Sequence, residues 1–483
     1  MCGLVGIALK SLKDVESFQL SELSAQCLSR LQHRGQDGAG ISVFKGVHEF
    51  QTVKGLGLIE TALKDRDRLP TSQVAIAHTR YATTGTGGVG ELQPFVKGSP
   101  RIALAHNGNI VNCEELIQKF SLVVETESDL DVLQQFFLAQ MAKGGFESAV
   151  QGVFDEFNGS YAVVGILDDG ALFAFRDPFG IRPLFMGEND KLVVFASETA
   201  AISPLGPDVK ITEIKPGEWA CVRDGKISFG QLSSRRNPKL AKKFCMFENV
   251  YFSSPQSEMN SSSVYRWRFR LGEVLAKEMI EEASSKEALK AQVDFVVPVP
   301  DTSRTAALAV AETLGVPYRE FLVKNNYVPR TFILGAQDQR LKALGQKLSL
   351  IGPEIKGYKI LLVDDSVVRG NTSRMMAARL REAGAEKILL ASTCPPIRHG
   401  CFYGIDFPDP EELVAHEASV DQISKSLGVD GLHYISISGL KSAFQTDELC
   451  MACLDGEYPT KDQSFIDFLA SRRKQRRTGE IHS

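Results

Sequence analysis

Asp364 and Asp365 end an apolar run, Ile360–Val363, and lead into Ser366, Arg369, Gly370, Asn371, Thr372 and Ser373. Two adjacent acids closing a buried strand are costly unless something pairs with them. Beyond them Met376, Leu380 and Ala383 follow helical spacing, so the stretch reads as a strand, a turn and the start of a helix. A helix N-terminus directs unpaired N–H groups and the positive end of its dipole at that turn, which suits a phosphate. Gly370 admits a close backbone approach, Ser366, Thr372 and Ser373 add hydroxyl donors, and the two acids can accept hydrogen bonds from sugar hydroxyls. The plainer reading is an ordinary capped turn. A Walker loop is excluded, because its G-x-x-x-x-G-K-[ST] spacing is absent.

A second set of candidate residues is scattered. Cys2 opens a short apolar strand. Removal of Met1 would give Cys2 a free α-amino group, with an ordinary pKa of about 7.7–8.0, able to act as base for its own thiol. On its own such a cysteine reads equally as a small buried residue. Two apolar runs, Val74–Ala77 and Ile102–Ala105, are expected as strands ending in His78-Thr79-Arg80-Tyr81 and His106-Asn107-Gly108-Asn109. Arg80 offers a two-pronged donor for a carboxylate, though it could equally serve a surface ion pair. Gly85–Gly90 fits G-x-G-x-x-G but is followed by Pro94 rather than a helix pattern, so it is no dinucleotide fingerprint.

The elements that must carry these residues divide the chain in two. Leu20, Leu23, Cys27, Leu28 and Leu31 share a helical face closed by Gly35, and Ser128 caps a helix with Asp129 in its first turn. Asp169-Gly170 and Asp224-Gly225 mark hairpins. Residues 230–243 are polar, contain Pro238 and read as a linker. Beyond it a helix over 264–283, a strand at Phe295–Val299, a helix from Arg304 to Leu314, and strands at 360–363 and 388–392 alternate, as in a parallel sheet. Lys324–Gly352 is a basic, weakly patterned loop holding Lys324, Arg330, Arg340 and Lys347. The expected domains are 2–232 and 245–460, with an extension to 483.

Composition narrows the class. The 483 residues exceed one core, and 43% hydrophobic with 24% charged residues is ordinary for a globular protein. A net charge of −4 argues against nucleic acid as the main partner. No apolar run approaches a membrane span and no secretory signal opens the chain, so a cytoplasmic location is expected. Nine cysteines in that setting do not read as a disulfide framework. Cys450-x-x-Cys453 fits a redox pair, half a zinc site or chance, and nothing in the spacing gathers Cys245, Cys394 and Cys401 to it.

The first half resembles the class II glutamine amidotransferases. The matches are Cys-Gly at the start, His-Arg-Gly-Gln at 33–36, His-Thr-Arg-Tyr at 78–81, His-Asn-Gly at 106–108, Ser-Asp at 128–129 and Asp-Pro-x-Gly-x-Arg-Pro at 177–183. That resemblance implies an α+β N-terminal-nucleophile fold, an αββα sandwich. It casts Cys2 as the nucleophile that forms a glutamyl thioester and frees ammonia, Asn107 and Gly108 as the oxyanion hole, and Arg80 and Asp129 as binders of glutamine's carboxylate and amino groups. The second half resembles the α/β type I phosphoribosyltransferases. In that family the paired acids hold the ribose hydroxyls, the following loop (Ser366, Arg369–Ser373) wraps the 5′-phosphate, and a mobile loop, here with Lys324 and Arg330, closes over pyrophosphate. Magnesium is implied near Thr302, Asp364 and Asp365.

Both halves in this order resemble the amidophosphoribosyltransferase family, in its iron–sulfur branch. The expected reaction opens de novo purine synthesis: glutamine, phosphoribosyl pyrophosphate and water give 5-phosphoribosylamine, glutamate and pyrophosphate, with ammonia passed internally. The branch implies a 4Fe-4S cluster on Cys245, Cys401, Cys450 and Cys453, leaving Cys394, Cys27, Cys113 and Cys221 outside it. The family further implies purine nucleotides as feedback inhibitors and a homotetramer or homodimer. Departures are Ala82 for the usual Ser, Asn326 for Arg, Pro329 for Gly and Asn371 for Thr. The rival readings are another class II sugar-phosphate amidotransferase, which should lack Asp364-Asp365, and a non-catalytic phosphoribosyl-binding regulator, which has no reason to keep the glutaminase residues. The basic run Arg472–Arg477 reads as a solvated terminus, with phosphate binding as the alternative.

Overall fold

The computed structural model of the chain describes residues 2–46, 48–81, 88–232, 241–325, 348–407, 410–460 and 466. Ala82, Asn326, Pro329, Arg330, Arg340, Lys347 and the basic run at 472–477 lie outside the described residues.

Strands whose two faces are both covered must be apolar on both sides, and the Gly3–Leu9 strand shows it: Leu4 and Val5 point oppositely and both are buried. This strand is central in a seven-stranded sheet ordered Lys210–Glu213, Phe185–Glu188, Leu192–Ala196, Gly3–Leu9, Val74–Arg80, Gly38–Gly46 and Glu49–Leu56. A six-stranded sheet faces it, ordered Lys226–Gln231, Glu218–Arg223, Leu172–Arg176, Gly159–Ile166, Ile102–Ile110 and Phe95–Lys97. Leu4, Ile76 and Phe195 meet Ala105, Val164 and Ala174 between the sheets. Outside, the Leu20–Ser29 helix packs on Val5, Ile41 and Ala75, and the Asp129–Glu156 helix on Leu104, Val163 and Phe173. The result is the expected helix–sheet–sheet–helix sandwich.

Two details differ from the sequence expectation. The strands do not stop before their polar clusters: Val74–Arg80 includes His78 to Arg80, and Ile102–Ile110 includes His106 to Asn109. Neighbours that continue to offer ladder partners carry the strands onward, with Gly38 opposite Arg80 and Tyr161 opposite Gly108. The first helix ends at Ser29, well before Gly35.

The second half is built on four parallel strands, Phe295–Pro298, Lys359–Asp364, Lys387–Ser392 and Gly431–Tyr434, in that spatial order. Helices Val264–Glu282 and Arg304–Leu314 cover one face with Val296, Leu361 and Leu389 beneath them. Helices Asn371–Glu382 and Val420–Leu427 cover the other, over Val297, Ile360 and Leu390. Burial on both faces explains why these strands read as unbroken apolar runs. Among the described residues no helix is long and apolar enough to cross a membrane.

Candidate active sites and the cysteine pocket

Antiparallel pairing of Gly3 with Thr79 sets Cys2 beside the end of the Arg80 strand. The Cys2 backbone nitrogen donates to Asn107 Oδ1 at 3.2 Å across the sandwich, and its thiol lies 3.9 Å from the Tyr81 carbonyl oxygen. The amide of Asn107 is thereby oriented. Its Nδ2 is buried and has no hydrogen-bond partner among the described residues, a costly state for a donor. Gly108 follows with a φ of +150°, and a Cβ there would stand 2.0 Å from the Ser160 carbonyl oxygen. No side chain is tolerated at that point.

The other candidate glutamine ligands already have partners. Asp129 Oδ2 accepts from His106 Nε2 at 3.0 Å and from the Ile110 N–H at 3.0 Å. Burial pushes its carboxyl up, but His106 and the backbone N–H groups outweigh this and hold it below the usual range. Gln93 fixes the ring: its Nε2 lies 3.1 Å from His106 Nδ1, and its Oε1 accepts from the His106 N–H at 2.7 Å. Arg80 pairs with Glu91 at 2.5 Å. Glu91 directly follows the Gly85–Gly90 run that fits no dinucleotide fingerprint, and a lone acid there carries no signal in the sequence.

A buried charge network also escaped the sequence. Arg34 Nε donates to the Cys2 carbonyl at 2.9 Å, while its other nitrogens reach Glu198 at 2.6 Å and Glu248 at 2.9 and 3.0 Å. Arg182 reaches Glu248 at 3.1 Å. Both Arg34 and Arg182 are fully buried. The visible signal is the presence of Arg34 and Arg182 within the quoted motifs; their convergence with Glu248 across the two halves is not legible in the sequence.

In the second half, Asp364 closes its strand as expected and accepts from the Asp365 N–H at 2.9 Å, and Ser366 Oγ donates to Asp365 Oδ1 at 2.7 Å. Both acids are buried, and neither forms an ion pair among the described residues. Burial raises Asp365 to about 6, opposed by the Ser366 hydroxyl and the Arg268 charge. Asp364 rises well above the carboxylate range through burial and its charged neighbour. Gly370, at φ +73°, starts the Asn371–Glu382 helix with no side-chain cap, so the first N–H groups of Asn371, Thr372 and Ser373 face the turn. Arg369 pairs with Glu412 at 2.9 Å and Lys324 with Asp301. Thr302 follows the neighbouring strand, whose end is tied to the acid strand by the Val299 N–H on the Val363 carbonyl at 2.9 Å.

The structure brings the four singled-out cysteines together. Phe244–Cys245 and Leu449–Cys450 form a short parallel pair with Cys245 opposite Cys450. Cys245, Cys401, Cys450 and Cys453 line one pocket with Arg182, Phe247, Tyr403 and Tyr458. Cys394 is buried but is not among the lining residues. Among the described residues no three His, Cys, Asp or Glu are arranged around a single ion. A four-iron cluster needs no such convergence, because each thiolate binds a different corner, and the four-thiol donor set fits it. Burial pushes Cys245 up to about 11 and Cys450 and Cys453 well above the ordinary thiol range, with the Arg182 charge opposing this at Cys245 and Cys450. For magnesium, the donor set is also suitable: two buried acids that form no ion pair among the described residues, with Thr302 shortly after the end of the adjacent strand.

Comparison with known proteins agrees with this architecture. Residues 78–204 match a glutamine amidotransferase domain and residues 270–401 a phosphoribosyl transferase domain. An amidophosphoribosyltransferase of Pseudomonas aeruginosa is 39% identical, over 96% of this chain and 93% of its own. A solved Bacillus subtilis glutamine phosphoribosylpyrophosphate amidotransferase, complexed with ADP and GMP, superposes with a TM-score of 0.83 at 33% identity, covering 95% of this chain and 97% of its own. A structure described as the allosteric regulatory enzyme of purine biosynthesis gives a TM-score of 0.84 at 34% identity, covering 95% of this chain and 96% of the other. The chain belongs to the amidophosphoribosyltransferase family.

Proposed function

We propose that the chain converts glutamine, phosphoribosyl pyrophosphate and water into 5-phosphoribosylamine, glutamate and pyrophosphate, the first committed step of purine synthesis. The observation that carries this reading is Asn107, which holds the Cys2 nitrogen through Oδ1 while its buried Nδ2 has no partner among the described residues. Once Met1 is removed, that nitrogen is an amine able to take the thiol proton. The Cys2 sulfur attacks the glutamine amide carbon, and Asn107 Nδ2 and the Gly108 N–H receive the oxyanion. Collapse breaks the C–N bond, the proton leaves with ammonia, and water releases glutamate from the thioester. Arg80 and Asp129 would exchange Glu91 and His106 for the substrate's carboxylate and ammonium.

In the second half, Asp364 and Asp365 would accept from the ribose hydroxyls and Ser366 with residues 369–373 would hold the 5′-phosphate. Ammonia, reaching that site internally, displaces pyrophosphate at C1, with Lys324 and Arg330 closing on the leaving group. Magnesium, held near Thr302, Asp364 and Asp365, would supply charge neutralisation of pyrophosphate. The four thiols of the lined pocket would hold a 4Fe-4S cluster. Visible brown absorbance with iron and no zinc supports this, whereas colourless zinc protein overturns it. The nucleotides in the Bacillus subtilis complex support purine nucleotide feedback. A homotetramer or homodimer in the cytoplasm completes the proposal.

Replacing the nucleophile separates the two reactions. Cys2→Ala is expected to abolish glutamine-dependent pyrophosphate release while free ammonia still drives it. Retention of glutamine-dependent turnover would remove Cys2 from the mechanism. Pyrophosphate release itself distinguishes the enzyme from a phosphoribosyl-binding regulator.

A further inference from the structure

The segment Phe402–Gly404 belongs to the second half of the chain, yet its backbone is hydrogen-bonded into the first. Asn109 Nδ2 donates to the Phe402 carbonyl at 2.9 Å. The Tyr403 carbonyl accepts from Ser160 Oγ at 2.8 Å and from Arg182 Nε at 2.8 Å, with a further contact from the same guanidinium. Gly404 has a φ of +97°, and a Cβ there would stand 3.0 Å from the Gly108 carbonyl oxygen and 3.1 Å from its carbon. Gly108 is therefore packed between the Ser160 carbonyl on its own sheet and the Gly404 backbone from the other half.

A glycine at φ +150° has little intrinsic preference to hold its flanking peptides, and an oxyanion donor is useful only when its direction is fixed before the reaction. The Asn107–Gly108–Asn109 peptides run along the rim of the sandwich, where the Ile102–Ile110 strand has the Gly159–Ile166 strand on one side and only a short partner, Phe95–Lys97, on the other. That short partner pairs with 102–104 and leaves 107–109 uncovered by any strand on that edge. Contacts from Phe402–Gly404 fall on this stretch.

We propose that Phe402–Gly404 is a positioning element for the glutamine-cleaving site, so that the glutaminase half is incomplete without backbone supplied by the phosphoribosyl half. The inference rests on the oxyanion role proposed above for Asn107 and Gly108. Asn109 anchors one end of the stretch to the Phe402 carbonyl, Gly404 closes against Gly108, and the intervening donors keep their aim.

Three variants test it in the full chain. Gly404→Ala adds a methyl against Gly108, and Asn109→Ala only deletes the donor to Phe402. Each is expected to lower kcat for glutamine by about tenfold or more while the glutamine KM and ammonia-dependent pyrophosphate release stay within about twofold. Equal losses with glutamine and ammonia, or a rise in KM alone, would reduce the contact to packing and overturn the proposal, as would unchanged turnover. If Gly404→Ala does not fold, Asn109→Ala decides. Asn107→Ala is the control: full glutamine turnover in it would break the oxyanion reading and this proposal together. A crippled Asn107→Ala beside normal Gly404→Ala and Asn109→Ala would break this proposal alone.

Discussion

The two candidate sites settle their charges in opposite ways. In the glutaminase half each proposed ligand-binding charge has a partner within the protein: Asp129 holds His106 and Arg80 holds Glu91, while Arg34 beneath Cys2 holds Glu198 and, from the second half, Glu248. In the phosphoribosyl half Asp364 and Asp365 lie side by side, buried, with burial raising both and the Asp365 charge raising Asp364 further, opposed at Asp365 by the Ser366 hydroxyl and the Arg268 charge and at Asp364 by the Asp365 N–H. The first arrangement suits a substrate that carries both an ammonium and a carboxylate, because it can exchange one matched pair for another at small net cost. The second is arranged for an incoming cation and for hydroxyl donors, without which its charge is a liability.

The sharpest break of this contrast is to remove the acids. Asp364→Asn with Asp365→Asn is expected to lower pyrophosphate release by about a thousandfold, the order expected from losing several kcal/mol of metal and ribose interaction. The loss should be the same with glutamine or ammonia, since both share this site; a loss confined to glutamine would relocate the acids' role. Asp129→Asn acts on the other side. One charge-assisted hydrogen bond contributes about 1.5–3 kcal/mol, so the glutamine KM should rise roughly 10- to 150-fold with ammonia-dependent release intact. Steady-state assays against each nitrogen donor read both outcomes.

The same contrast explains what was legible in the sequence. The phosphate-type motif is local: strand, turn and helix lie within residues 359–373, and the apolar run, Gly370 and the helical spacing each follow from neighbours in sequence. The proposed glutaminase site joins Cys2, Arg80, Asn107 and Asp129 from four elements, and no spacing predicts that pairing of Gly3 with Thr79 brings two of them together. Family resemblance identifies those residues, whereas the partners of Arg80 and Asp129, Glu91 and His106, and the Glu198 partner of Arg34 are not legible because a partner is a property of the fold. The cysteines show both cases. C-x-x-C was visible, while Cys245 meets Cys450 only through a two-residue parallel pairing. Strand ends were misjudged at 78–80 and 106–109 because polar residues look like loops, and here they stay in the ladder to serve the rim of the sandwich.

The smallest expected effect concerns stability, and its sign is opposite at the two sites. Asp365 has a folded pKa of about 6, above the ordinary aspartate value. The folded state then binds more protons than the unfolded state between roughly pH 4 and pH 6, so stability is greatest below that window and declines as pH rises through it. At neutral pH the cost is on the order of 3 kcal/mol, partly relieved by any cation that binds. Asp365→Asn removes the charge and should raise the thermal midpoint of ligand-free protein at pH 7.5, with no gain at pH 4, and magnesium should narrow the difference. For Asp129 the folded pKa is lowered, so its contribution is present above the ordinary carboxylate pKa and is lost on acidification. Asp129→Asn should accordingly lower the midpoint at pH 7.5. Thermal scans of the two variants at both pH values check this directly: midpoints moving in the same direction at pH 7.5 would mean that the two sites do not store charge differently.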